Sequence, residues 1–338
     1  MIPQEKTAAV TQALREAFGV TEFEDIRQMT KGHGYAMVFR IVVRGAAYLL
    51  RVVVRPNAML GPGREHACMR AAAQAGLAPR VRYASMEDEI TVMDFVEEKP
   101  FPAREALVRM PAALRALHAL PPFPKGVDHF DTSCMFLLHQ GAATEGFIEK
   151  FHSANILTKD ESEELRTWHA QLAAVYPRND SDMVSSHNDL FKPDNILYDG
   201  DRVWLIDWEA AFLNDRYADL AVVANLLVTN REDEGVFLRE YFGRPPDEYQ
   251  LARFFLMRQV AHMFYTMAYL LLGSSGKPPA QSKSVPEFSA FQRSMWAGEI
   301  NLADEVTKVV YGSVHWEKLV RNMRGPRFGE ALRILSTK

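Results

Sequence analysis

The sequence predicts an α+β chain in two lobes. A small β-rich lobe spans residues 1–96 and a large, mainly helical lobe spans 97–338. Three observations carry this reading. Alternating apolar and polar residues, the period of a half-buried strand, are confined to the N-terminal third. From about residue 104 the apolar spacing turns helical and stays so. The 338 residues exceed the ~100–200 of one ordinary domain, and a hydrophobic content of 48% supplies a real core.

Residues 5–18 read as a helix, with Ala9, Val10, Leu14 and Phe18 at helical spacing. A turn at Gly32, His33 and Gly34 opens the first strand. Met37, Phe39, Ile41 and Val43 then alternate with Val38, Arg40 and Val42, and two β-rich runs flank Arg44 and Gly45, which reads as a hairpin. A helix over 62–76 ends at Gly76. Pro79 begins a further strand pair, RVRYAS followed by ITVMDFV. Residues 93–100 are an extended link between the lobes, and a cleft between two lobes is a natural small-molecule site. In the second lobe, 104–120 carries Leu107, Met110, Leu114 and Leu117 on one face. Thr158 followed by Glu161 forms a capping box, and 217–230, 249–272 and 315–322 read as helices.

Composition excludes several classes. A net charge of −4 and a pI near 6.2 argue against nucleic acid as the main partner. Two cysteines, Cys68 and Cys134, in no metal-ligand spacing argue against a disulfide scaffold or zinc site and for a reducing, cytoplasmic setting. The N-terminus lacks the basic and apolar regions of a signal peptide. The most apolar window, VAHMFYTMAYLLLG, is short of the ~18 apolar residues of a membrane span and reads as a buried helix.

The chemistry concentrates in SSHNDLFKPDNILYDGDRVWLIDWEAAFLNDRYADLA, residues 185–220. Carboxylates gathered this closely repel one another and are expected where a cation or a transferred proton needs them. Phosphoryl transfer needs a carboxylate to orient the incoming hydroxyl, oxygen ligands for magnesium, and a cation on the phosphates that is itself held by an acid. Asp189 fits the first role, Asn195 and Asp207 the second, and Arg51 with Glu65 the third. Singly, Asp189 could be a helix cap or a surface charge, and the less favoured readings of Arg51 and Glu65 are a solvent-facing strand residue and a solvated helix charge. The ordered set His187, Asp189, Asn195, Asp207 and Asp219 is not explained that way.

The pattern HND…NIL…YDG…WLIDWEAA…ND…Y.DLA resembles the aminoglycoside phosphotransferase and choline/ethanolamine kinase superfamily, and within it bacterial choline kinases. The helix ending at Leu117 and His118, Gly76 to Pro79, and Arg51 in place of a strand lysine share that likeness, which runs from Gly32 to Leu220. The resemblance implies a protein-kinase-like bilobal fold, ATP with Mg2+, and a small-molecule hydroxyl acceptor. It makes Asp189 the base, with His187 supporting its loop. Asn195 and Asp207 become metal ligands with Glu209 close by, and Asp219 braces the loop. It assigns Arg51, Glu65, Gly32, Gly34, Asp94 and Val96 to the nucleotide.

Two features depart from the pattern. Kinase loops place the Asn five residues after the Asp, whereas here position 194 is Asp and the Asn is at 195. Asn195 is the expected ligand because Asn195, Ile196 and Leu197 keep the family frame, with Asp194 the alternative, since magnesium accepts either oxygen. The glycines at 32 and 34 are not a full GxGxxG. The expected activity is phosphorylation of choline or a related amino alcohol. An aminoglycoside or other metabolite is the alternative acceptor, and a catalytically inactive nucleotide-binding protein the rival class. Trp168, Trp208, Phe264, Tyr265, Tyr269, Trp296 and Trp316 are available for an aromatic cage, although core packing accounts for each.

Overall fold

The computed structural model describes residues 2–29, 36–54, 62–124, 151–177, 180–274 and 285–337. The predicted turn at Gly32 to Gly34, and Cys134, lie outside them. Packing divides the chain into two units, Met1–Phe101 with Asp194–Ala211, and Pro102–Pro193 with Phe212–Lys338. This differs from a single cut after residue 96. The link as far as Phe101 belongs to the first unit, and so does a later hairpin that carries three candidate site residues.

The first unit is built on an antiparallel sheet in the order β1-β2-β3-β5-β4. Its strands are β1 (Asp25–Gln28), β2 (Ala36–Val43), β3 (Ala46–Val53), β4 (Val81–Ser85) and β5 (Ile90–Asp94). Arg44 and Gly45 both have positive φ, 52° and 75°, and close a two-residue hairpin in which Val43 pairs with Ala46. Such a turn matches the right-handed twist of the strands. Register turns the alternation seen in the sequence into two faces. Phe39 opposes Leu50, which opposes Val92, and all three are buried with Ile41, Val52 and Ile90. Helix α1 (Thr7–Phe18) contributes Val10, Ala13 and Leu14 to the same core. The opposite face carries Val38, Arg51 and Thr91 in one cross-strand row. Alternation alone therefore places Arg51 away from the α1 core.

Helix α2 (Pro62–Gln74) follows β3, and Gly76 just past its end has φ 72°. Strands β7 (Ile196–Tyr198) and β8 (Val203–Leu205) pair as a separate hairpin. Leu205 N donates to Leu77 O at 2.7 Å, and Lys99 N donates to Tyr198 O at 2.7 Å, which sews this hairpin to the end of α2 and to the link.

The second unit is mainly helical. It contains α3 (Ala103–His118), α4 (Lys159–Val175), α5 (Arg216–Leu227), α6 (Arg231–Phe242), α7 (Glu248–Gly273), α8 (Phe288–Trp296), α9 (Glu305–Met323) and α10 (Pro326–Ser336), with β6 (Met183–Ser186) paired to β9 (Phe212–Asp215). The Thr158 and Glu161 capping box is present at the start of α4. A second one, Asp247 with Gln250, starts α7. The apolar window at 260–273 lies in the second half of α7, a helix buried from Ala252 to Leu270 except at Phe264, and no helix among the described residues is long and apolar enough to cross a membrane.

Helices α7 and α9 meet closely. A Cβ on Gly312 would lie 2.8 Å from Leu270 Cγ and 2.9 Å from Leu270 N, so only glycine fits there. Within this packing two fully buried imidazoles, His262 and His315, meet Nδ1 to Nδ1 at 2.9 Å. Helices α6, α8 and α10 and the first half of α9 are not among the sequence expectations. The predicted helix at 217–230 ends at Leu227, and Asn230 caps α6 by accepting from Asp233 N.

Candidate active site

In the second unit, β6 leads into His187, Asn188 and Asp189, all buried. Asn188 has φ 68°, a conformation that Asn tolerates better than most side chains. Its side chain is used as well. Asn188 Oδ1 accepts from Asn214 Nδ2 at 2.6 Å, and Asn214 Oδ1 accepts from Asp215 N at 2.8 Å.

Asp219, in the first turn of α5, holds the loop backbone. Its Oδ2 accepts from His187 N at 2.8 Å and its Oδ1 from Asn188 N at 2.7 Å. His118 Nε2 lies 3.3 Å from the same Oδ2, and His118 Nδ1 lies 2.7 Å from the Tyr241 hydroxyl. With the hydrogen on Nε2, His118 donates to Asp219 and accepts from Tyr241, so both nitrogens are satisfied. Burial opposes a charge on Asp219. The His118 hydrogen bond, the two imidazoles and the His187 N–H outweigh it and hold the carboxyl below its ordinary range. The predicted bracing residue thus braces, and His118 is a packed residue that acts through it.

Lys192 is not among the sequence expectations. Its Nζ donates to Asp189 Oδ2 at 3.0 Å and lies 5.2 Å from the centre of the Phe191 ring. The available signal was a lysine three positions after the candidate base. Phe191 in turn packs on Tyr265, Tyr269 and Tyr311, with centroids 4.9, 5.9 and 6.4 Å away. Burial, then Tyr311 and the Asp189 charge, raise the Tyr269 phenol well above its ordinary value, so it stays neutral. Of the other aromatics, Trp168 and Trp316 pack together at 6.2 Å, and Trp208 is buried in the first unit, where Nε1 donates to Leu205 O at 3.1 Å.

In the first unit, Arg51 Nη1 lies 2.9 Å from Glu65 Oε1, with side-chain exposures of 16% and 12%. The strand register that turns Arg51 away from the α1 core meets Glu65 in the first turn of α2. One residue on, His66 Nε2 lies 3.2 Å from Thr91 Oγ1, beside Arg51 in the sheet. Burial, with Arg51 and Arg70 adding to it, lowers the His66 pKa.

Asn195 and Asp207 stand at the same end of the β7–β8 hairpin, because Ile206 N donates to Asn195 O at 3.1 Å. Asn195 is buried and Asp194 is exposed. The strand stops at Leu205. Asp207 lies beyond it with φ 66° and ψ 67°, immediately before a turn, Trp208–Ala210, that buries Glu209. A non-glycine residue in this region of backbone space is a recurring mark of functional sites. Asp94 and Val96 line a cavity of about 400 Å³ in this unit.

A small antiparallel sheet with α2 beside it, joined to a mainly helical unit, defines the kinase-like α+β class. Residues 25–255 match the phosphotransferase enzyme family, APH, and the chain belongs to that family. No curated protein matches. Among solved structures, a choline/ethanolamine kinase family protein from Mesorhizobium loti is similar at 18% identity and TM-score 0.64, over 98% of this chain and 100% of that one. The choline kinase LicA from Streptococcus pneumoniae is similar at 14% identity and TM-score 0.57, over 95% and 99%. The phosphotransferase APH(2")-IIa, solved with streptomycin and ATP, is similar at 14% and 0.57, over 86% and 99%. At such identities these likenesses establish the fold.

Proposed function

We propose that this protein is a small-molecule kinase that transfers the γ-phosphate of ATP to a hydroxyl group, with choline or a related amino alcohol as the acceptor. The observation that carries the reading is the buried Asp189 on a loop held through its backbone by Asp219, with the Lys192 ammonium 3.0 Å from its Oδ2. Rigid placement of a carboxylate is what this chemistry asks of a protein, because the transition state is loose and positioning does most of the work.

Asp189 accepts the hydrogen bond of the incoming hydroxyl and orients its oxygen. Lys192 holds Oδ2 in place. Arg51, itself held by Glu65, grips phosphate oxygens; a guanidinium forks onto them where an ammonium acts as a point charge. Asn195 and Asp207 offer hard oxygen donors from one end of one hairpin, which suits magnesium, an ion that takes one or two carboxylates and completes its shell with phosphate and water. Magnesium, when bound, supplies neutralisation of phosphate charge. The amino-alcohol reading draws on Phe191, two residues after Asp189, and on the Tyr265, Tyr269 and Tyr311 rings packed on it, since quaternary ammonium groups are bound by aromatic faces. An aminoglycoside or another hydroxylated metabolite is the alternative within the same chemistry.

The test is MgATP-dependent phosphorylation across choline, ethanolamine, aminoglycosides and sugar alcohols, with Asp189→Asn as control. Turnover with choline that is absent in the variant supports the reading. Turnover confined to an aminoglycoside replaces the acceptor and keeps the chemistry. A magnesium-dependent thermal shift with ATP and no turnover on any acceptor favours a nucleotide-binding protein without catalysis.

A further inference from the structure

We propose that the first unit carries a second small-molecule pocket, built to take an organic anion with an apolar body. The cavity of about 400 Å³ falls in the size range of ligand sites. Its walls come from the end of α2, the approach to β4, the link after β5 and the β7–β8 hairpin. Arg51, Glu65, Asn195 and Asp207 do not line it, so it is separate from the residues assigned to phosphate and metal.

The charges of the lining decide the ligand. Three acids border the cavity and each already accepts hydrogen bonds from the protein. Asp94 takes a two-pronged contact from Arg82, Nε to Oδ1 at 2.6 Å and Nη2 to Oδ2 at 3.2 Å. Glu97 meets Arg40 at 3.4 Å. Asp199 accepts from Arg202 N at 2.7 Å, from Asp201 N at 2.8 Å and from the Trp204 indole at 2.8 Å. Burial works against the charge on Asp199, and these donors still hold its carboxyl below the ordinary range.

The two cations are differently placed. Arg80 is exposed, and its guanidinium makes no ion pair or hydrogen bond among the described residues. Arg202 is held in position. Its Cζ lies 4.3 Å from the centre of the Trp204 ring, and Nη2 donates to Gly76 O at 2.7 Å. That leaves the rest of its donor fork for a ligand. Ala78, Pro79, Val96 and Trp204 supply an apolar wall. Two arginines with unspent donors beside a small apolar wall, with every acid already hydrogen-bonded, select an anion that carries a ring or short chain. Such a ligand presses on Asp94 and Val96, the residues expected to meet the nucleotide, so the pocket is placed to couple an effector to nucleotide affinity.

The experiment is titration of the full chain with benzoate, followed by calorimetry and by the indole N–H signal of Trp204, assigned with Trp204→Phe. Benzylamine is the probe of opposite charge. A ligand this small binds with Kd on the order of 1 mM. The expected result is a saturable shift of the Trp204 signal by benzoate and none by benzylamine. Arg80→Glu should weaken benzoate at least about tenfold while melting temperature stays unchanged, and Arg202→Gln should weaken it as an independent second variant. Benzoate binding equal in both variants, no shift up to about 20 mM, or competitive displacement by MgATP would each overturn the proposal, the last by making this the nucleotide pocket. No turnover is needed for the measurement, so failure here leaves the kinase reading standing, and failure of that reading leaves this one testable.

Discussion

The two units position their polar groups in opposite ways. In the second, Asp219 is fully buried and accepts from two backbone N–H groups and from His118, whose other nitrogen meets Tyr241. In the first, Arg51 is partly exposed and oriented mainly by strand register, with Glu65 as its partner. On the proposed function, the loop that carries the orienting carboxylate is fixed by a network, whereas a cation proposed to grip a mobile, highly charged ligand needs only a direction. The contrast predicts that damage to the network costs stability, whereas damage to the register-oriented pair costs ligand affinity.

The largest effect should come from Asp189→Asn. Turnover should fall by about 10²–10⁴, the usual worth of a positioned base, with the KM for ATP little changed; a loss of melting temperature with turnover intact would make Asp189 structural. Next is Asp219→Ala, which strands two buried N–H groups and His118. Urea unfolding should show a loss of about 3–5 kcal/mol, and a loss below about 1 kcal/mol would break the contrast between the units. Gly312→Ala should cost about 1–3 kcal/mol by forcing α7 and α9 apart, read in the same unfolding experiment. Glu65→Gln should leave stability nearly unchanged and raise the KM for ATP by about tenfold, roughly 1.4 kcal/mol.

The effect that is smallest at neutral pH is that of the two buried imidazoles, which grows as pH falls. Burial holds His315 down to about 3, from an ordinary 6.5, and holds His262 well below 6.5. A depressed folded-state pKa means that unfolding takes up protons below about pH 6.5. Stability is therefore complete above that value and is lost as pH falls toward 3, by up to about 1.4 kcal/mol per pH unit for each imidazole. His315→Gln should flatten the acid limb of melting temperature against pH, and an unchanged limb would remove this pair from the account.

Local rules made much of this legible. The hairpin at Arg44 and Gly45, the alternation of β2, the capping box at Thr158 and the burial of 260–273 all follow from neighbours in sequence, and so does the facing of Arg51. Helix α6 is not legible because its charged residues dilute the apolar stripe, as in REDEGVFLREYF. Lys192 as partner of Asp189, and His118 as partner of Asp219 across 101 positions, depend on contacts that periodicity does not encode. The same holds for the hairpin at 194–211, which is assigned by packing to a unit whose other residues end at Phe101.

That assignment has a consequence for how the chain is made. A ribosome adding roughly 5–20 residues per second needs about 5 to 20 s to travel from residue 101 to residue 211. Throughout that interval the first unit exists without the strands that donate to Leu77 O and accept from Lys99 N. Its sheet, whose pairings are mostly local, can close early. The end of α2 and the link must wait for distant sequence, which is the slow kind of contact in folding. The nascent N-terminal unit is thus incomplete until residues 194–211 arrive.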